Sequence, residues 1–181
     1  MNTDLDTFSS ITRHRNVLGP ALAIIVVLFF VLIEGPFRTV PEIVDMHFPA
    51  EGIFHNLVIV SIDKRYPGHA RKIMNAFWGL GQLMFSKTIV VVDKDVNVHD
   101  VGEVAWIVGT HIDPLRDVQM TRGPVDDLDD AAEWPAYGGK MGIDATRKWA
   151  SEGYNRTWPA RIVTTEQAGR RAAEIFQRIG K

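Results

Sequence analysis

Apolar residues along this chain follow two alternating rhythms. Residues 57–62 (LVIVSI) form an unbroken apolar run rich in β-branched side chains, the composition of a strand buried on both faces. The period then lengthens. Ala70, Ile73, Met74, Phe77, Leu80, Gly81 and Met84 recur at helical spacing, Pro67 suits a first turn, and His69, Arg71 and Lys72 point away from that face. A second strand is predicted at 88–92, followed by a capping signal, Asp100 with Glu103, ahead of a helix carrying Val101, Val104, Ala105 and Val108. Strand, helix, strand, helix predicts an α/β fold with a mostly parallel sheet flanked by helices. Residues 113–160 are broken by Pro and Gly and read as structured loops with one short strand near 118–120. At the end, Thr164 caps a helix with Gln167 three residues on, and Ala168, Ala172, Ile175, Phe176 and Ile179 line one face before Gly180 stops it. That face needs something to dock on.

The front of the chain follows neither rhythm. Residues 17–33 are uncharged, preceded by Arg13, His14 and Arg15 and closed by Glu34. As a helix they would span about 26 Å, the short limit for a hydrocarbon core. Two readings stay open: an N-terminal hydrophobic helix buried in protein, with Pro20 in its first turn, or a membrane anchor with Arg13 and Arg15 on the cytoplasmic side. Asp4 and Asp6, and the absence of a small-x-small site in IEGPF, disfavour a cleaved signal.

Composition narrows the function classes. At 181 residues the chain suits one ordinary domain plus appendages. Lys and Arg total 20 against 22 Asp and Glu, so no electrostatic footprint for nucleic acid is present. The absence of cysteine excludes disulfides, thiolate zinc sites and a cysteine nucleophile.

Several constellations could carry chemistry. Asp93, Asp95 and Asn97 follow a strand, at the carboxyl end where open α/β sheets place ligands. They also resemble the start of a calcium loop, but Val98 and Val104 stand where that loop needs glycine and glutamate. The Gly138–Gly139–Lys140 turn, with Arg147 and Lys148 beyond it, reads either as an anion-holding edge or as solvated surface. The run Asp126, Asp127, Asp129, Asp130 and Glu133 could hold a hard cation, though such runs are more often solvated loops. Glu42 and Asp45 are spaced to share a helix face. The six histidines show no metal-ligand spacing, and no nucleophile elbow surrounds Ser61 or Ser86.

Four longer motifs stand in one order: VPEIVDMHFPAEGIFHN at 40–56, RYPGHARKIMNAFWGLGQ at 65–82, SKTIVVVDKDVNVHD at 86–100 and GGKMGIDATRKW at 138–149. Together they resemble the C-terminal domain of the UbiD family of decarboxylases, especially the bacterial branch acting in quinone pathways. The resemblance implies a UbiD C-terminal-domain-like α/β domain over 40–160, with a non-family segment at 1–39 and the amphipathic helix at 161–181. Intact members bind prenylated FMN with a divalent metal (manganese) and potassium in a split-barrel domain, and protonate their substrate through a Glu–Arg–Asp or Glu–Arg–Glu network. No PEGPxGD/E segment occurs here, so no catalytic or metal-binding residue carries over, and no cofactor is expected to bind this chain alone. By similarity, Met84, Phe85, Pro124 and Val125 would border the substrate cleft, and Lys87 is the candidate flavin or phosphate contact.

The implied function is the C-terminal portion of a decarboxylase for aromatic or unsaturated acids, not competent alone, or alternatively a non-catalytic assembly module. Implied partners are a second copy or a UbiD-type catalytic subunit, with no nucleic acid and with membrane contact only through residues 17–33. The implied location is cytoplasmic, or membrane-anchored if that segment spans.

Overall fold

The computed structural model describes residues 35–160 and 164–179. In chain order these form α1 (Gly35–Thr39), β1 (Ile43–His47), β2 (Leu57–Ile62), α2 (His69–Trp78), β3 (Thr88–Asp93), α3 (Val101–His111), α4 (Pro114–Asp117), β4 (Val118–Pro124), β5 (Tyr137–Asp144) and α5 (Glu166–Ile179). The segment 17–33 lies outside the described residues. No helix among those described is long and apolar enough to cross a membrane.

The five strands make one sheet in the order β1-β2-β3-β5-β4. β2, β3 and β5 are parallel, whereas β1 pairs antiparallel with β2 and β4 antiparallel with β5. The sheet is therefore mixed, which corrects the expectation of a mostly parallel one. The reason lies at the edges. The PEIVD segment is a strand instead of a helix, and β4 doubles back into β5 as a hairpin. The glycine-rich segment at 138–142, read as loop, is part of the inner strand β5.

Strand periodicity splits the core into two layers. Val58, Val60 and Ile62 of β2, with Ile89 and Val91 of β3, pack under Ala70, Ile73, Met74 and Phe77 of α2. Ile59, Val90 and Val92 face the other way, against Val104 and Ile107 of α3. Each such side chain contributes about 1.5–3 kcal/mol on leaving water, which is why the uninterrupted apolar runs had to become inner strands. Phe37 of α1 and Val40 join the first layer, so the core draws on residues ahead of 40. Gly142 lets α2 sit close on β5, since a Cβ there would lie 2.5 Å from Met74 Sδ.

Three helix expectations need adjustment. His69 is fully buried and stacks on Tyr66 at 4.1 Å instead of pointing outward, because its Nδ1 accepts the Arg65 N–H. In α3, Asp100 caps as expected by accepting from Glu103 N at 2.9 Å, but the buried face is Val104 with Ile107, and Val101 is exposed. In α5, Thr165 and not Thr164 is the cap, accepting from Ala168 N at 3.2 Å. No residue of α5 is buried, and Ile175, Phe176 and Ile179 stand open to solvent.

One glycine near the amino end of β2 sets a loop. A Cβ on Gly52 would lie 2.5 Å from Leu57 Cβ and 3.0 Å from the Leu57 backbone nitrogen, and a strand backbone cannot step aside cheaply. Gly52→Ala is expected to cost about 2–3 kcal/mol by overpacking, read as a lower urea midpoint at unchanged m-value. A midpoint equal to the parent's would show that the loop re-forms freely.

Candidate functional site

Residues 137–140 of β5 pair past the start of β3, so the β4–β5 hairpin overhangs the amino ends of the parallel strands. Under that overhang three loops meet: 48–56 ahead of β2, 79–87 ahead of β3, and 125–136 inside the hairpin. Lys87 N–H donates to His55 O at 3.1 Å, and Met141 N–H donates to Lys87 O at 2.9 Å, so the backbone at Lys87 is held from both sides. Lys87 Nζ then reaches Asp129 Oδ1 at 2.6 Å, and His55 Nδ1 lies 2.6 Å from Asp126 Oδ2. Phe85 packs near the His55 ring with centroids 6.0 Å apart, and Phe54 meets the same ring at 4.3 Å.

The structure thus brings together most of the residues singled out from the sequence. Met84, Phe85 and Lys87 share one loop, and Val125 is fully buried beneath the hairpin with its N–H bonded to Ala136 O. Pro124 is exposed at the end of β4. What sequence reasoning missed is the partner set. His55 and Asp126 are 71 positions apart, and Lys87 and Asp129 are 42 apart, so no local spacing could have announced either pair.

Charge at this end is acidic and largely internally matched. Asp126 is held below the usual carboxylate range, first by the Leu128 N–H and then by His55. Arg122 pairs with Glu133. Lys140, expected on an anion-holding turn, is instead a buried strand residue whose ammonium donates to the carbonyls of Met84 and of Ser86, the latter at 2.9 Å. Burial pushes it down to about 8. Trp78 Nε1–H donates to the same Ser86 carbonyl at 3.1 Å, so the loop that carries Phe85 and Lys87 is fastened from below.

Two further features stand out at this end. The non-glycine residues with left-handed φ among those described are Ile53 (44°), Phe54 (63°) and Ala136 (56°), all in its loops. For a β-branched isoleucine that conformation stores strain of about 1–3 kcal/mol. Ile53, Phe54, Leu128, Trp134 and Tyr137, in or beside these loops, are exposed apolar residues. In addition, Asn56 Oδ1, Ser86 Oγ and Asp129 Oδ2 are buried without a hydrogen-bond partner among the described residues. Buried oxygens of this kind call for an explanation, and a donor from an added surface is one.

The other constellations resolve differently. Asp93 accepts the Arg147 N–H at 2.8 Å, Arg147 also pairs with Asp95, and Asn97 Oδ1 takes the His99 N–H at 3.0 Å, so these side chains tie loops together. Burial raises the Asp93 carboxyl above the usual range. Among the described residues no group of three His, Asp or Glu side chains could hold a metal ion, which covers the acidic run as well. Lys148 is buried between Asp144 and Asp117 and is no part of a basic edge. Glu42 and Asp45 separate: Glu42 pairs with Lys72 at 2.6 Å and lies 3.5 Å from His69 Nε2, while Asp45 meets His99 at 3.1 Å.

Comparison with known proteins agrees with this architecture. A family model described as the 3-octaprenyl-4-hydroxybenzoate carboxy-lyase C-terminal domain matches residues 31–145. An uncharacterized protein of Aquifex aeolicus (strain VF5) is 52% identical over 140 residues, covering 77% of this chain and 29% of the relative. One from Archaeoglobus fulgidus gives the same values. The chain therefore spans about 29% of the length of these relatives. Among solved structures, the vanillic acid decarboxylase of Sedimentibacter hydroxybenzoicus in its open form superposes with a TM-score of 0.67 at 26% identity, over 81% of this chain and 32% of that one. The UbiD-class enzyme HmfF from Pelotomaculum thermopropionicum, in complex with FMN, gives 0.60 at 27%, over 77% and 31%.

Proposed function

Because the chain belongs to the UbiD family through that family's C-terminal domain, we propose that it closes one side of a carboxy-lyase cleft whose catalytic residues lie on another domain or subunit. The amino-end surface carries this reading. Strained Ile53 and Phe54, the exposed Trp134 and Tyr137, and three buried oxygens without partners among the described residues lie in or beside the same three loops as Phe85 and Lys87. Met84, Phe85 and Pro124 would border the substrate, an aromatic or unsaturated carboxylic acid of the kind met in quinone pathways, with the buried Val125 packed behind them. Relatives of similar fold include a vanillic acid decarboxylase and an enzyme in complex with FMN, which supports an aromatic acid and a flavin in the assembled protein.

The residues at this end do not fit a flavin phosphate. Lys87 is already paired with Asp129, and Asp126, Asp127, Asp130 and Glu133 give its surroundings a negative balance that repels a second anion. A flat apolar ring system suits the exposed apolar residues of these loops better. Lys87 is thus assigned to holding the 125–136 loop in place, and no step of the reaction is routed through the cofactor here.

The exposed apolar face of α5 supports an assembly role alongside this one, with a second copy or a UbiD-type catalytic subunit as its partner. The test supplies the chain with prenylated FMN, manganese, potassium and a panel of aromatic acids, alone and mixed with a UbiD-type enzyme truncated before its C-terminal domain. Carbon dioxide release is expected only from the mixture. Turnover by the chain alone would overturn the reading, as would failure of the two proteins to associate.

A further inference from the structure

The loop at 125–136 encloses a pocket of about 290 Å³, lined by Asp126, Asp127, Asp129, Glu133 and Trp134. That is small for a free metabolite and sufficient for the head of one long side chain. Four carboxylates line it, and the cations that answer them are few. Lys87 pairs with Asp129 and Arg122 with Glu133, while His55 on Asp126 carries a charge only when protonated. Asp127 is exposed and has no ion-pair partner among the described residues. The pocket therefore keeps at least one unanswered negative charge in either state of His55.

A second feature calls for a donor. The Asp129 side chain is 4% exposed, and its Oδ1 takes Lys87 Nζ at 2.6 Å and the Ala131 N–H at 3.2 Å. Its Oδ2 is buried without a hydrogen-bond partner among the described residues, an omission that native structures seldom leave. A metal ion does not suit, since no group of three His, Asp or Glu side chains among the described residues could hold one. Trp134, 61% exposed, supplies an aromatic face on the same pocket. Carboxylates beside an open indole suit a guanidinium, which is planar and weakly hydrated, stacks on aromatic faces and forks its N–H groups onto carboxylate oxygens. We propose that the pocket holds the guanidinium of an arginine side chain presented by the domain or subunit that docks on this end. Its N–H groups would meet Asp127 and Asp129 Oδ2, with its plane on Trp134. The source of the arginine rests on the cleft-closing reading above, whereas the pocket's preference for a guanidinium does not.

The test titrates the full chain with ethylguanidinium, with its neutral counterpart N-ethylurea and with magnesium, following the Trp134 indole N–H resonance. Saturable ethylguanidinium binding that shifts this resonance is expected, without a matching response to the other two. Asp127→Asn should weaken it about fivefold, the scale of an exposed ion pair. Asp127 is a surface residue, so the variant keeps its fold. Glu174→Gln, an equal change of net charge on an exposed position of α5, should leave the affinity unchanged. Equal binding of N-ethylurea, an equal response to magnesium, no indole shift, or equal loss in the two variants would each overturn the assignment. The source is tested by association with the truncated UbiD-type enzyme, which ethylguanidinium and Asp127→Asn should both weaken. Association indifferent to both would overturn the arginine contact and leave the cleft-closing reading standing. No association at all, with ethylguanidinium binding intact, would remove that reading and the source named here, and keep the pocket's ligand class.

Discussion

Lys148→Met is expected to destabilise the fold by about 3–5 kcal/mol, the scale on which removing one partner of a buried ion pair acts. The ammonium sits 2.9 Å from Asp144 Oδ1 and 3.6 Å from Asp117 Oδ1, and donates to the carbonyls of Asp144 and Thr146 at 2.8 and 2.7 Å. Its side chain is 3% exposed, and those of Asp117 and Asp144 are 1% and 8% exposed. Asp117 keeps the Arg116 guanidinium at 2.8 Å and the Asp113 N–H, so it tolerates the loss. Burial works against its charge, yet those hydrogen bonds and Lys148 hold the carboxyl below the usual range. Asp144 is left with the Thr146 N–H and hydroxyl alone. A buried carboxylate without a cation is the source of the penalty. Adding Asp144→Asn to the variant should therefore recover part of the loss, because it removes the orphaned charge and not just a contact. Urea unfolding of the single and double variants decides the matter. A single-variant loss below about 1 kcal/mol would mean that water reaches the cluster.

That cluster also shows where sequence reading succeeds and where it stops. The inner strands β2 and β3 were legible because burial on both faces demands apolar residues at every position, and LVIVSI and TIVVVD meet the demand. The cap of α3 was legible because Asp100 and Glu103 act over three residues. β5 was not. Its glycines remove the β-branched signature of a strand, and their purpose, close approach of Met74 on α2, depends on a segment far away in the chain. The cations 140, 147 and 148 looked like a solvated edge for the same reason. Lysines earn a place inside only when long-range partners surround them, and Met84, Ser86, Asp117 and Asp144 are set by the fold. Motif resemblance pointed to Met84, Phe85, Lys87, Pro124 and Val125 as candidates without revealing that Asp129 pairs with Lys87 and Asp126 with His55 beside them.

Lys140 gives the second large effect, and its sign follows from the direction of its shift. Desolvation lowers its pKa from 10.5 in an exposed lysine to about 8 in the folded chain. Between those values the unfolded chain binds more protons than the folded one, so stability rises with pH across that window. Below about pH 8 both states carry the charge and the folded state bears the full cost of burying it. The contribution is of order 3 kcal/mol. Every other lysine and tyrosine titrates as well, so the measurable quantity is the difference between the parent and Lys140→Met, compared by urea midpoints from about pH 7 to 10.5. The difference should change little below about pH 8 and the parent should gain on the variant from there to about 10.5. A constant difference would mean that Lys140 is solvated. The gain should come without disturbing the site, because a neutral amine still has the protons to bond the Met84 and Ser86 carbonyls. The loop holding Phe85 and Lys87 therefore keeps its shape when Lys140 loses its charge, whereas methionine, which donates nothing, releases the Met84 carbonyl at any pH and leaves the Ser86 carbonyl to Trp78 Nε1–H alone. If the amino-end surface closes a cleft through that loop, Lys140→Met should weaken association with the truncated UbiD-type enzyme even at high pH.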